Sequence, residues 1–380
     1  MKVIQGGVAT PMGFQANGMS CGIKRSGRPD LALIASDVPC VAASVFTKNS
    51  IKAAPIVVTQ KKMRYNKAQA IVVNSGNANC FTGSFGLFYA QKTTEVIAKL
   101  MNIHPNYVLV ASTGIIGKPL PYKKIESAAP ELVRGLSPKS GQKAARAILT
   151  TDKKIKEIAV EFLLGRKKIT IGACAKGSGM IQPNMATMLG FVTTDAAINA
   201  SMLKLALKQS VAESFNCITV DGCMSTNDMV TVLSNGFAKN DMIDQEDHKD
   251  FKTFSNALRH VCLEMAKRIV YDAEGATKFI KVSVLGAKTK EQAKSVCYAI
   301  ANSNLVKTAA FGCDPNWGRV AAAVGSLSLN VTEKNLKIHF SSFAKQHINI
   351  TVDLHLGNQK ATVYTSDLTL EYVKINGKYN

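Results

Sequence analysis

The densest concentration of turn-forming and reactive residues lies between Lys176 and Ala197, in KGSGMIQPNMATMLGFVTTDAA. Gly177, Ser178 and Gly179 make a turn, and Pro183-Asn184 breaks the chain again. Met185-Ala186-Thr187-Met188 then leads into an apolar run that reads as a strand. A threonine hydroxyl is a feeble nucleophile unless a base lies beside it, and on the residues alone Thr187 is an ordinary threonine at the start of a strand. The glycine turn lacks the GxxxxGKS/T spacing of a phosphate loop. Thr113 and Gly114, in ASTGIIG, follow a short apolar run, where a simple turn is the plain reading. Metal chemistry finds no support. The six histidines form no HExxH motif or ligand cluster, and the nine cysteines are scattered without a CxxC pair.

These residues need elements to hold them, and short β-type runs alternate with helical patterns almost throughout. Strands are expected at Leu31–Ser36, Ala43–Thr47, Pro55–Thr59, Ala70–Val73 and Tyr107–Ala111, the last running into STGIIG. Helical patterns cover Gly86–Met101, Tyr122–Arg134 and Ser140–Leu149, before strands at Ile155–Phe162 and Lys168–Ala173 that lead to the central motif. Beyond it come a strand at Met188–Thr193, a helix at Asn199–Phe215, strands at Cys217–Val220 and Met229–Ser234, and a long helix over Gln245–Val270. A strand at Lys278–Leu285, a helix at Lys288–Ala301 and alternating strands from Lys337 to Tyr372 complete the chain. Without a regular βαβ beat, the mixture predicts an α+β fold of layered mixed sheets and helices. No repeat or linker-like tract separates residues 1–186 from 187–380, which read as two halves of one interleaved body.

The charge balance, 47 Lys and Arg against 26 Asp and Glu for a net +21, could suggest a nucleic-acid binder. The lysines, however, occur in short scattered pairs such as Lys61-Lys62, Lys153-Lys154 and Lys167-Lys168, with no interleaved aromatics. A basic, solvated surface that favours the approach of acidic small molecules fits better, and no nucleic-acid partner is expected. Apolar runs fall far short of the roughly 20 residues that cross a bilayer. The amino-terminal MKVIQGGVATPMGF does not read as a secretory signal. A cytoplasmic protein is expected.

Five blocks, in order along the chain, resemble the ornithine acetyltransferase family, also called glutamate N-acetyltransferase. They are GIKRSGRPDLALIASD (22–37), VVNSGNANCFTG (72–83), ASTGIIG (111–117), KGSGMIQPNMATMLGFVTTDA (176–196) and DPNWGRVAAAVG (314–325). The carboxy-terminal SDLTLEYVKIN (366–376) is similar to the family's closing strand. The resemblance implies an N-terminal-nucleophile-like fold and a chain that cuts itself between Ala186 and Thr187. The freed α-amine, with a reference pKa of about 7.7–8.0, then gives the hydroxyl a base on the same residue. Pieces 1–186 and 187–380 are implied to assemble as a heterotetramer of two each.

By the same resemblance, Thr187 takes the acetyl group from N-acetylornithine as an ester and passes it to glutamate in arginine biosynthesis. Thr113 and Gly114 match the donors to the oxyanion, and Glu274 matches a residue that holds the ornithine side and helps move the proton. Thr150, Lys176, Asn376 and the terminal Asn380 match substrate contacts, though the family places a hydroxyl residue where this chain ends in asparagine. Gln182 stands where many relatives have histidine. Asp314, Asn316, Trp317 and Arg319 read as anchoring residues, Arg319 toward a carboxylate. No cofactor is implied, and whether acetyl-CoA also serves as donor stays open. An autoprocessing aminopeptidase or amidase of related fold is the rival within the same structural type.

Overall fold

The computed structural model describes residues 1–182 and 188–378. Ala186, Thr187 and Asn380 lie outside the described residues. The chain divides into two compact units. The first comprises Met1–Gly177, Asn184–Asn216 and Met224–Met265, and the second Ser178–Pro183, Cys217–Cys223 and Ala266–Asn380.

In the first unit the strands are β1 (Lys2–Ile4), β2 (Phe14–Met19), β3 (Leu31–Phe46), β4 (Lys67–Asn77), β5 (Val108–Ile115), β6 (Lys156–Leu164), β7 (Lys167–Lys176), β8 (Leu189–Thr194) and β9 (Met229–Ser234). The helices are α1 (Ala54–Lys62), α2 (Gly83–Met101), α3 (Tyr122–Arg134), α4 (Gly141–Ala147), α5 (Ala200–Ala212) and α6 (Phe251–Tyr271), whose last turns belong to the second unit. The strands form one mixed sheet in the order β1-β6-β7-β8-β9-β3-β4-β5, with β2 also on β3. Alternation along β3 sends Leu31 and Leu33 to one face, against Ile97 of α2 and Ile125 and Leu132 of α3. It sends Ala32 and Ile34 to the other, with Ile71, Leu109 and Phe191. Strands covered on both faces carry continuous apolar runs. Every residue of β8 and β9 is buried.

The second unit holds β10 (Phe279–Ala287), β11 (Lys337–Phe340), β12 (His347–Asp353) and β13 (Gln359–Ser366), ordered β11-β12-β10-β13. Helices α7 (Lys290–Ala301), α8 (Asn304–Phe311), α9 (Trp317–Gly325) and α10 (Leu370–Asn376) complete it. Its core sets Ile280, Val282 and Val284 of β10 against Val296, Cys297 and Ile300 of α7.

The α+β class holds, and α3 has the expected bounds. Four expectations are corrected. Leu31–Ser36 and Ala43–Thr47 are one strand, β3, whose pairing with β4 shifts register between Ala35 and Cys40. Pro55–Thr59 is the start of α1, because a proline with preset φ opens a helix well and packing overrides the weak strand preference of Ile56, Val57 and Val58. Cys217–Val220 makes a single bridge, Ile218 to Tyr364, rather than a strand. The stretch after Ser366 closes as helix α10, not a strand. Thr369 caps it by accepting from Tyr372 N, and Glu371 complements the positive end of the helix dipole.

Helices α8 and α9 were not foreseen. Each has a side-chain cap, Ser303 accepting from Val306 N and Asn316 from Arg319 N. The DPNWGR block thus supplies the cap and first turn of α9. Arg319 reaches the Leu305 carbonyl (2.7 Å) and the Thr308 hydroxyl (3.3 Å), not the expected carboxylate.

Candidate active site

Strand order in the first unit gathers residues that are far apart in the chain. Lys176 ends β7, buried, and its Nζ donates to Thr150 Oγ1 at 2.8 Å and to Thr113 Oγ1 at 3.4 Å. Thr113 lies on β5, and Thr150 in the turn after α4. Asp152 stands beneath them, with Oδ2 3.8 Å from Lys176 Nζ. The Asp152 carboxylate accepts from Thr150 N (3.0 Å), Gly177 N (2.7 Å) and Lys156 Nζ (2.7 Å). Burial alone would raise the Asp152 carboxyl. The charges of Lys176 and Lys156, with these hydrogen bonds, outweigh it and hold the group well below the usual carboxylate range. Lys176 and Lys156 thus both face the Asp152 carboxylate from within the core.

Gly114 follows Thr113 at φ +132°, where a Cβ would lie 2.4 Å from the carbonyl carbon of Gly76, its register partner on β4. Only glycine fits so close a backbone approach. Lys24 borders the cluster, its Nζ donating to the Pro29 and Leu149 carbonyls at 2.6 Å each. Burial chiefly brings Lys24 down to about 8, with Arg28 and Lys176 adding repulsion against the opposing pull of Asp30.

Two residues absent from the sequence reading, Asn227 and Asp228, lie near the candidate residues, and Asp228 holds the residue that follows the Ala186–Thr187 junction. Met188 N donates to Asp228 Oδ1 (3.0 Å), and Met188 O accepts from Met229 N (3.2 Å). Leu189 opens β8 as the register partner of both Lys176 on β7 and Met229 on β9. Asn227 Nδ2 donates to the carbonyls of Ala78 (2.7 Å) and Ser112 (2.8 Å). Their only local signal was a polar run, STND, immediately before a buried strand.

In the second unit, Glu274 follows α6 and its Oε2 accepts from Asn376 Nδ2 at 2.8 Å. The Glu274 amide donates to Ser178 O (3.0 Å), and Ser178 Oγ to Asp272 O (2.7 Å). A Cβ on Gly179 would fall 2.3 Å from Glu274 Oε2, so the glycine leaves the room in which this carboxylate sits. The upstream flank of the junction is fixed by Asp221, which accepts from Met180 N (2.6 Å), Ile181 N (2.8 Å) and Tyr372 OH (3.2 Å). Thr113, Thr150 and Lys176 are thus brought together in one unit, with Gly114 adjoining, and Glu274 and Asn376 in the other. The side chain of Gln182 lies beside Gly222.

The sequence model of the ArgJ family matches residues 15–345 and 341–380. The arginine biosynthesis bifunctional protein ArgJ of Symbiobacterium thermophilum is 45% identical over 401 residues, covering 100% of both chains. The protein of the same name from Geobacter sulfurreducens is 44% identical, over 97% of this chain and 98% of that one. Among solved structures, ornithine acetyltransferase complexed with ornithine from Mycobacterium tuberculosis is 34% identical with a TM-score of 0.45. That match covers 48% of this chain and 97% of the other. Among the described residues no helix is long and apolar enough to cross a membrane.

Proposed function

The chain belongs to the ArgJ family, and from that premise we propose that it carries an acetyl group from N-acetylornithine to glutamate as an ester on Thr187. It is an acyltransferase of arginine biosynthesis acting on small molecules. The observation that carries the detailed reading is the Lys176 ammonium, buried and bonded to the hydroxyls of both Thr113 and Thr150.

Maturation and turnover use one chemistry. Thr187 Oγ attacks the Ala186 carbonyl carbon, the peptide C–N bond breaks, and the nitrogen takes the hydroxyl proton. Water then hydrolyses the ester, leaving a carboxylate on Ala186 and a free hydroxyl and amine on Thr187. In turnover, the amine takes the hydroxyl proton as Oγ attacks the acetyl carbonyl, and ornithine leaves with that proton. The amine of glutamate then attacks the ester and restores the hydroxyl. Both half-reactions pass through an oxyanion, for which Thr113 and Gly114 are the proposed donors, through side chain or backbone N–H, each worth ~3 kcal/mol. In this scheme Lys176 meets a substrate carboxylate, Glu274, bonded to Asn376, meets the ornithine amine, and Asn380 adds a further substrate contact. No cofactor enters this scheme, and acetyl-CoA would load the same hydroxyl.

Strands β8 and β9 follow the junction in sequence yet stand between β7 and β3 in the sheet, which supports pieces 1–186 and 187–380 remaining one interleaved body. A cytoplasmic heterotetramer of two pieces each completes the proposal. Intact mass measurement and amino-terminal sequencing test it, with two fragments expected, the second beginning Thr-Met-Leu-Gly-Phe. Thr187→Ala should give one full-length chain without acetyl transfer. Splitting or turnover by that variant would overturn the scheme.

A further inference from the structure

We infer that Asn227 and Asp228 form a positioning bridge that sets the proposed nucleophile against the proposed oxyanion donors. The inference rests on the acetyl-transfer reading above. Asn227 holds the carbonyl of Ser112, the residue just before Thr113, and Asp228 holds the amide of Met188, the residue just after Thr187. The Met188 nitrogen is bonded directly to Thr187, so a hold on that amide acts one bond away from the proposed nucleophile's backbone. Because residues 227 and 228 adjoin, a single stretch of backbone relates both reacting positions. The Ser112 side is further locked by its hydroxyl, which donates to Asn74 Oδ1 at 2.5 Å.

Asp228 is an anomaly that this role explains. Its side chain is 0% exposed, and Oδ2 has no hydrogen-bond partner among the described residues. Around it, Thr47 Oγ1 donates to Ser225 O (2.7 Å) and Ser225 Oγ accepts from Asn227 N (3.0 Å). Buried polar atoms left in this way are rare and costly. Burial pushes the carboxyl well up, against the pull toward the charged form from Met188 N–H, Ser225, Lys176 and Thr47. Asp228 therefore acts through Met188, whose N–H it holds.

The test uses the full chain expressed as precursor, following self-splitting by gel and then kcat and KM of the mature enzyme. Asp228→Ala is expected to slow splitting and lower kcat by about a hundredfold, the scale of a misplaced reacting group, with KM within about twofold of wild type. Asp228→Asn keeps an acceptor for Met188 N–H without a charge, and is expected to recover at least about tenfold over alanine in both rates. Asn227→Ala should move kcat in the same direction as Asp228→Ala. Splitting and kcat near wild type in Asp228→Ala, or no rescue by asparagine, would overturn the bridge. Should the alanine chain fail to fold, Asp228→Asn decides alone, a loss in kcat beyond about a hundredfold counting against the bridge. If the wild-type chain does not split after Ala186, the acetyl-transfer reading fails first, which separates the two outcomes.

Discussion

Asp152 and Asp228 lie in the same unit, each almost wholly buried, and their carboxyls move in opposite directions. Asp152 has two lysines and two backbone amides around it, whereas Asp228 has one amide and one oxygen without a partner among the described residues. Burial penalises both charges alike, so the number and sign of the donors decide which carboxyl keeps its proton. One aspartate organises the cations that would meet a substrate carboxylate. The other holds the Met188 amide from within the core.

The harshest way to break this contrast is Asp152→Ala, which strands Lys156 and Lys176 without their shared carboxylate. A loss of about 3–5 kcal/mol in unfolding free energy is expected, read by urea titration. The same titration across pH sharpens the comparison. Asp152 is depressed in the folded state, so its contribution is complete above the unfolded value of about 3.9 and declines as pH falls below it. Asp228 is raised, so its contribution is complete below that value and is lost as pH rises toward its folded value. Asp228→Asn should remove only the second slope; stability curves unchanged by it would refute an uncharged Asp228.

A smaller effect is expected in the second unit. Gly179→Ala puts a methyl where the Glu274 carboxylate sits. Displacing that charged acceptor should cost about 1.5 kcal/mol, seen as roughly a tenfold rise in KM for N-acetylornithine. An unchanged KM would remove Glu274 from the ornithine side. The least consequential change is Asn316→Ala, which deletes the cap of α9. It should lower stability by about 1 kcal/mol and leave kcat alone. A fall in kcat would show that the DPNWGR block does more than anchor.

Much of the candidate site was legible because its residues lie in compact local blocks. Lys176, Gly177 and Gly179 share one turn, and Thr113 and Gly114 another. Local pattern misled where β-branched residues filled helices, in PIVVT and again in LTLEYVKI. Proline at one helix start and a threonine cap at the other decided the conformation there. Asn227 and Asp228 were invisible for a different reason. Their meaning comes from partners 115 and 40 residues away, and in isolation STND is only a polar turn. Asp152 was hidden likewise, since its paired lysines are distinguished from surface lysines only by burial.

The sheet order has a consequence for the life of the protein. Six residue pairs join β7 to β8, and six more join β9 to β3. While the backbone is whole, these ladders assemble within one molecule. Once it is cut at 186/187, the same ladders become a joint between two polypeptides, and recovery from denaturation turns into a concentration-dependent encounter. Maturation would thereby act as a ratchet, converting a structure reached easily in one direction into one retained by the slowness of coming apart.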